Sequence, residues 1–197
     1  MGMKKTAILG WSRSKIEIDE DAIVLDVGAG AWPNDAATIA CDRSLDEDIH
    51  RTGRATKVDR PFVICDATAL PFRDGSIDFV IASHIAEHID EPEDFCRELS
   101  RAAKAGYIET PSPLADYMLD EEYHQWRVGG RGGDIRFARK PQKRRTAKWI
   151  TDRFYRIFYA GRETGTPTYG LPGGALGRLL GFVLFVIRGV LNRTGVM

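Results

Sequence analysis

The apolar positions of this chain fall into five short runs, each ending at polar residues or a turn. The runs cover residues 22–27, 38–41, 61–65, 79–83 and 107–111. Short continuous apolar runs are typical of strands that are buried on both faces of a parallel sheet. A helical pattern begins at residues 91–94 and stops at residues 104–106, between the last two runs. We therefore expect an α/β fold with a mostly parallel sheet.

The first run ends in Asp26 and a glycine turn, Gly28-Ala29-Gly30. Glycines allow a sharp turn and a close approach to a ligand, and open α/β sheets bind ligands at such strand ends. The third glycine of a dinucleotide fingerprint is missing, and so is the Gly-Lys-Ser/Thr of a phosphate loop. An acidic strand end without a phosphate-binding motif suits a ligand that carries an ammonium and a ribose. The alternative is a tight turn that binds nothing.

The next two runs also end in carboxylates, Asp42 and Asp66, the latter followed by Ala67. A carboxylate at the end of the second strand can accept two hydrogen bonds from a ribose diol. The alternative for Asp42 is a surface or helix-capping role.

The connection between the first two strands is unusually short. Residues 31–37 are fewer than the dozen or so of a normal parallel crossover, and they include Pro33. The first crossover is therefore predicted to be a clipped turn or an irregular loop.

Beyond the sheet, the patterns predict several further elements and two parts of the chain. We expect a short helix or entry loop at 11–20, a helix at 112–122, a hairpin of 124–128 with 134–138, an amphipathic helix at 146–159 and an apolar final helix at 175–191. Residues 1–160 would form one domain, with 112–145 as a substrate-side insertion. Residues 161–197 would add a Gly/Pro loop and the apolar C-terminal helix.

Taken together, these motifs resemble the class I S-adenosylmethionine-dependent methyltransferases, in particular the ubiquinone-biosynthesis-type family. The resemblance rests on residues 24–30, Asp42, 65–72, 78–80, 87–88 and 98–101. It implies a Rossmann-like three-layer α/β/α sandwich with a shortened first crossover. The region from 107 to 126 is similar to a subgroup of small uncharacterised methyltransferase-like proteins, which gives no substrate.

The resemblance also implies S-adenosyl-L-methionine as the cofactor and a role for each strand end. Asp26 and the backbone of Gly28, Ala29 and Gly30 would face the methionine part, and Asp42 would hold the ribose hydroxyls. Asp66 and Ala67 would meet the adenine edge, while Ser83 and His84 would line the floor of the site. The acceptor would be a small molecule, a lipid-linked intermediate or a glycan. A non-catalytic module of the same fold, binding the nucleoside or no ligand, is the alternative.

Methyl transfer from a sulfonium mainly needs an aligned nucleophile and the exclusion of water. A general base is needed only if the acceptor must lose a proton. The candidates are His84, His88, Glu109 and His124, and we favour His84 and His124 as catalytic residues because they follow the fourth and fifth strands. The alternative is a histidine that only caps a helix or fills the core.

The spacing His84-x-x-Glu87-His88 also matches the inverted zinc metallopeptidases. That function needs one long helix through the motif, with His84 and His88 on the same face. The predicted strand end at Ser83 and the proline at 92 argue against such a helix. The sequence interpretation therefore assigns no metal ligand.

Charge and cysteine content limit which partners and which cellular compartment we expect. The formal net charge is zero, so we expect no nucleic-acid partner. Cys41, Cys65 and Cys96 suggest neither a disulfide framework nor a zinc ribbon, and we expect a cytoplasmic protein without a signal peptide.

The C-terminal part contains a basic stretch followed by an apolar stretch. Residues 136–162 contain ten Lys or Arg residues, and Asp152 is the single acidic one. The nine uncharged residues between Arg178 and Arg188 are too few to span a bilayer. The final helix would either make a peripheral contact with the inner membrane face or pack on the sheet or in a homodimer interface.

Overall fold

The computed structural model describes residues 3–10, 13–46, 54–119, 121–131, 134–141 and 189–190. The elements follow in the order β1 (Lys4–Leu9), β2 (Ser14–Asp19), β3 (Val24–Val27), β4 (Ile39–Asp42), β5 (Phe62–Ile64), β6 (Ile77–Ser83), a 3₁₀ turn (Ala86–His88), α1 (Pro92–Ala102), β7 (Ala103–Glu109), α2 (Pro113–Leu119), β8 (Trp126–Arg131), β9 (Asp134–Arg139) and β10 (Gly189–Val190).

A six-stranded sheet with the order β10-β7-β6-β3-β4-β5 forms the centre. The strands β3 to β7 are all parallel, and they are the five strands that the sequence predicts. Every residue of β3 is buried, as expected for the middle of such a sheet. The predicted Rossmann-like α/β fold is thus confirmed. The edge strand β10 pairs antiparallel with β7, so the prediction that residues 189 and 190 belong to a helix is wrong.

Helix α1 covers one face of the sheet. It begins with Pro92 and carries acidic residues in its first turn, both of which suit a helix N-terminus. Phe95 and Leu99 are buried in the core beneath it. The helix ends at Ala102 rather than at 104–106, because residue 103 already pairs with Ile77 of β6. The fifth strand therefore starts four residues earlier than the apolar run suggested.

The opposite face is covered by the N-terminal hairpin of β1 and β2, which pair antiparallel. The predicted helix or entry loop at 11–20 is wrong, because residues 14–19 alternate between buried and exposed positions as a strand does. Leu9 and Ile18 pack into one cluster with residues of the central sheet, including Val24 and Tyr107.

The first crossover is short, as predicted, since residues 28–38 form turns and no helix. The Arg60 guanidinium holds it by donating to the carbonyls of Asn34 and Ala37, at 2.6 and 2.8 Å. Ala36 and Ala37 pack against the cluster beneath the N-terminal hairpin. The hairpin therefore covers the sheet face on which a full crossover would have placed a helix.

The predicted helix at 112–122 is present as the shorter α2, and the predicted hairpin is present as the pair β8–β9, whose first strand begins two residues later and ends three residues later than predicted. The predicted helix at 146–159, the Gly/Pro loop and most of the final helix lie outside the described residues. Within the described residues, no helix has the length and apolar character needed to cross a membrane.

Candidate functional site

The glycine turn, residues 28–30, is folded onto the end of β4. The N–H groups of Gly28 and Ala29 donate to the Cys41 carbonyl at 2.9 and 3.1 Å. The Gly30 N–H donates to Asp42 Oδ2 at 2.9 Å. The structure thus places Asp42 against the glycine turn, as expected for neighbouring strand ends of a parallel sheet.

Gly28 has a structural reason to be glycine. Its φ is 71°, and an added Cβ would lie 2.6 Å from Ile85 Cδ1. Any side chain there would be strained and would press on the residue that follows His84. The glycine therefore lets the turn pack against the end of β6.

Asp26 is buried beneath the crossover loop, where its Oδ2 accepts a hydrogen bond from the Asn34 N–H at 2.7 Å. Burial raises the pKa of this carboxyl to about 7, although the Asn34 hydrogen bond and the nearby Arg60 act in the opposite direction. Asp26 therefore anchors the crossover loop at the edge of the predicted cofactor site.

Asp42 and Asp66 follow neighbouring strands but differ in their surroundings. The Asp42 carbonyl accepts from the Cys65 N–H at 3.0 Å, which brings the end of β5 beside the end of β4. Asp66 is exposed, and its Oδ1 accepts from the N–H and hydroxyl of Thr68 at 2.8 and 2.6 Å. These bonds lower the pKa of Asp66. Ala67, in the same turn, is buried.

Ser83 and His84 lie at the carboxyl end of β6. Ser83 pairs in register with Glu109 of β7, and its hydroxyl is buried without a hydrogen-bond partner in the part of the chain that the structure describes. His84 has a φ of 56°, and its N–H donates to the Glu109 carbonyl at 2.8 Å. This left-handed conformation turns the chain out of the strand and into the 3₁₀ turn.

The His84 ring lies between two buried carboxylates. Its Nδ1 is 3.4 Å from Glu87 Oε1, and its Nε2 is 3.5 Å from Glu109 Oε1. Burial alone would lower the pKa of His84, but Glu109 and Glu87 outweigh it and raise the pKa to about 9. His84 is therefore an imidazolium at neutral pH, which suits attraction of an anionic group better than proton abstraction. Its role as a base stays a prediction.

His124, the other predicted catalytic histidine, is also buried. Its Nδ1 lies 2.5 Å from Asp116 Oδ1, and Asp116 Oδ2 lies 3.4 Å from Arg127 Nε and 3.7 Å from Lys140 Nζ. Sequence reasoning missed Asp116, and the acidic character of residues 116–122 was the signal that could have suggested it.

The His84-x-x-Glu87-His88 motif does not form the helix that a metallopeptidase would need. His84 is left-handed, and residues 86–88 form a single 3₁₀ turn that ends at Ile89. This geometry does not favour the metallopeptidase alternative, because His84 and His88 do not share a helical face.

The parallel sheet and its glycine turn define a Rossmann-like α/β domain. Residues 25–108 match the family model described as a methyltransferase domain. An uncharacterized methyltransferase of Mycobacterium tuberculosis (strain ATCC 25177 / H37Ra) is 28% identical over 146 residues, covering 66% of this chain and 55% of the relative. A demethylmenaquinone methyltransferase of Renibacterium salmoninarum is 37% identical over 90 residues, covering 42% and 37%.

Two solved structures are similar to this chain at lower sequence identity. The YcgJ protein from Bacillus subtilis is 21% identical with a TM-score of 0.40, covering 53% of this chain and 54% of that one. An S-adenosylmethionine-dependent methyltransferase from Mesorhizobium loti is 15% identical with a TM-score of 0.38, covering 60% and 57%. The chain spans between about a third and about half of the length of the curated relatives it matches.

Proposed function

We propose that this chain is an S-adenosylmethionine-dependent methyltransferase whose acceptor is a small molecule, a lipid-linked intermediate or a glycan. One observation carries the proposal. Within the region that matches the methyltransferase domain family, the glycine turn is folded onto Asp42 at the carboxyl end of the sheet.

The groups at this edge fit the cofactor. The buried Ser83 hydroxyl has no hydrogen-bond partner among the described residues, and a bound ligand would satisfy it. A carboxylate oxygen accepts up to two hydrogen bonds, so Asp42 can hold the Gly30 N–H and ribose hydroxyls together. We assign cofactor binding to the residues predicted from the sequence, which are Asp26, Gly28, Ala29, Gly30, Asp42, Asp66, Ala67, Ser83 and His84.

The bound cofactor supplies a methyl group that is already activated on a sulfonium. The protein then has to position the acceptor and exclude water. The left-handed turn at His84 holds an imidazolium between Glu87 and Glu109, where it would orient an anionic acceptor or the cofactor carboxylate. His84 acts here by charge, because its raised pKa keeps it protonated at neutral pH.

A lipid-linked acceptor has the most support among the three classes. One matched relative is named a demethylmenaquinone methyltransferase, so its named substrate is a quinone. The basic stretch at 136–162 would suit an anionic membrane surface. Peripheral membrane contact through the apolar stretch at 175–191, or a homodimer formed through it, belongs to this proposal. Flotation with anionic liposomes, comparing the full chain with one that ends at Gly174, separates the two.

Calorimetry with S-adenosylhomocysteine tests the proposal. Wild type and the exposed control Asp46→Asn should bind, and Asp42→Asn should bind about 10- to 100-fold more weakly, because hydrogen bonds to a charged acceptor are worth roughly 1.5–3 kcal/mol. Circular dichroism would establish that each variant is folded. Absence of binding by the folded wild type would contradict the proposal. Release of S-adenosylhomocysteine with one acceptor class then distinguishes an enzyme from a binding module.

A further inference from the structure

Three chemically matched side chains meet beside the predicted catalytic histidines. Glu87, His88 and His124 each offer one ligand atom, and these atoms lie within 4.8 Å of one another. The backbone makes this meeting specific, because the Gln125 N–H donates to the Glu87 carbonyl at 2.8 Å. The Gln125 side-chain amide also donates to the His88 carbonyl at 3.1 Å. Residues 124–125 are thus held against the 3₁₀ turn at Ala86–His88.

The hydrogen bonds of both histidines determine which ring nitrogen is protonated. His88 Nδ1 lies 3.3 Å from the Tyr123 carbonyl oxygen, which can only accept a hydrogen bond. His124 Nδ1 lies 2.5 Å from the Asp116 carboxylate. In the neutral form of each ring, Nδ1 then carries the proton, and the lone pair of Nε2 is the one that a metal would take. Metal-bound histidines are oriented in this way, by a carbonyl or a carboxylate at the second ring nitrogen.

Glu87 supplies an independent observation. The residue is 1% exposed, and neither carboxylate oxygen has a hydrogen-bond partner among the described residues. The nearest ring nitrogens, His84 Nδ1 and His88 Nε2, lie 3.4 and 3.9 Å from Oε1. The His84 imidazolium offsets part of the Glu87 charge, but it leaves both oxygens without a hydrogen bond, which is costly for a buried carboxylate. A bound cation would give these oxygens a partner.

We propose that Glu87, His88 and His124 form a binding site for a divalent transition metal of the Zn²⁺ class. Two imidazoles and one carboxylate are a set that suits zinc or a similar ion and leaves a coordination position open. Metal–ligand distances of about 2.0–2.1 Å place tetrahedral ligand atoms about 3.4 Å apart. The three ligand atoms, which lie within 4.8 Å of one another, would move closer together on binding the ion. The neighbouring His84 lies between Glu87 and Glu109 and is not one of the three ligands.

This site gives Asp116 and His124 definite roles. Asp116 is a positioning residue that orients the His124 ring, and Arg127 and Lys140 flank its second oxygen. A metal on His124 Nε2 uses the lone pair that a general base would need, so this proposal replaces the predicted role of His124 as a base. If the proposed methyl transfer is correct, on which this further step rests, the open position would take an acceptor oxygen and lower its pKa.

Metal titration of the full chain tests the site directly. After chelator treatment and dialysis, Zn²⁺ is titrated by calorimetry, and Co²⁺ is followed by absorption. We expect one equivalent of each to bind, with Co²⁺ bands that indicate nitrogen and oxygen ligands and no thiolate charge transfer. Glu87→Gln and His124→Ala should lose stoichiometric binding. Asp116→Asn should weaken it about 10- to 100-fold, the effect typical of a lost outer contact.

Two matched variants serve as controls. Glu93→Gln removes an exposed carboxylate on α1, and His50→Ala removes the remaining histidine of the chain, which has no role in the proposed sites. Both should bind like wild type. Lack of stoichiometric binding by the folded wild type, or unchanged affinity in folded Glu87→Gln and Asp116→Asn, would overturn the proposal. S-adenosylhomocysteine binding measured on the same preparations separates failure of the metal site from failure of the proposed function.

Discussion

A Cβ added to Gly10 would collide with Glu109 Oε2, so the turn of the N-terminal hairpin packs directly against a fully buried carboxylate. The same oxygen accepts the Tyr107 hydroxyl at 2.5 Å, and the Ser14 hydroxyl lies 3.2 Å from that of Tyr107. Glu109 in turn contacts His84. The hairpin is thus one wall of the predicted site as well as a cover for the sheet.

Gly10→Ala should therefore destabilise the protein. The left-handed φ of 59° costs an alanine roughly 1–2 kcal/mol, and crowding against Glu109 adds about 1–3 kcal/mol. Urea unfolding followed by circular dichroism measures the sum. Gly75→Ala is the control, because Gly75 also has a positive φ of 60° but lies in the turn before β6, away from Glu109. Gly75→Ala should lose only the free energy of unfolding that the left-handed backbone conformation costs.

A double-mutant cycle with Glu109→Ala separates the two costs. The crowding part should disappear when the carboxylate is removed, while the backbone part should remain. Equal losses for Gly10→Ala and Gly75→Ala, with no coupling to Glu109, would contradict the role that we give the hairpin turn.

Asp26 should make stability depend on pH in an unusual direction for a carboxylate. Its pKa is about 7 in the folded protein, whereas an exposed aspartate has an ordinary pKa of 3.8, so the native state binds the proton more tightly. Stability from this group is present below pH 3.8 and is lost as pH rises to about 7. Between pH 5 and pH 8 the expected loss is about 3 kcal/mol.

Asp26→Asn is the matched variant, because its side-chain oxygen can still accept the Asn34 N–H. The difference in free energy of unfolding between wild type and variant should shift in favour of the variant across this pH range. Arg60 and Asp42, the charged groups near Asp26, are present in both proteins and cancel in the comparison. A difference that stays constant from pH 5 to pH 8 would show that Asp26 titrates at its ordinary pKa.

The sheet could be predicted because its strands are buried on both faces and appear as continuous apolar runs. The N-terminal hairpin was not predicted, since polar and charged residues interrupt the apolar positions of residues 4–9 and 14–19, and the face they cover includes Tyr107, far along the chain. The start of β7 was misplaced for a related reason. Pairing with Ile77 of β6 extends the strand to Ala103 through residues that look like a helix end.

Only the part of the candidate site that depends on strand order could be predicted from the sequence. Strand order alone places Asp42 beside the glycine turn, because neighbouring parallel strands end at one edge. The cluster of Glu87 with His124 depends on the path of α1, β7 and α2, which only the tertiary structure gives. The positive φ of His84, which turns its ring between Glu87 and Glu109, has no local sequence signal.

Ser83→Ala should affect stability and ligand binding in opposite directions. Its buried hydroxyl has no hydrogen-bond partner among the described residues, so its removal should leave the free chain as stable or up to about 1 kcal/mol more stable. S-adenosylhomocysteine should bind several-fold more weakly. Thermal unfolding and calorimetry measure the two effects, and Ser76→Ala, which loses a hydrogen bond of 2.7 Å to the Arg73 carbonyl, serves as the control. Unchanged affinity in Ser83→Ala would remove Ser83 from the predicted cofactor site.

Arg101 ties the loop between β5 and β6 to α1. Its guanidinium donates to the carbonyls of Leu70 and Phe72, at 2.9 and 2.7 Å, and to the carboxylates of Asp74 and Glu98. Glu98 also accepts the Leu70 N–H at 2.8 Å, so arginine and glutamate together hold both backbone groups of Leu70. This loop follows Asp66 and Ala67, so its position affects the predicted adenine end of the site.

Arg101→Met keeps the aliphatic stem but removes every donor, and we expect it to cost roughly 1–3 kcal/mol, because the group is partly exposed and the lost bonds are charge-assisted. Arg101→Lys should recover little of this, since one ammonium cannot reproduce the planar fork. Arg97→Met, at an exposed arginine that pairs with Asp94 on the same helix, should cost less than about 0.5 kcal/mol. Denaturant unfolding of the three variants checks the order. A lysine variant as stable as wild type would mean that charge alone, rather than the geometry of the guanidinium, holds the loop in place.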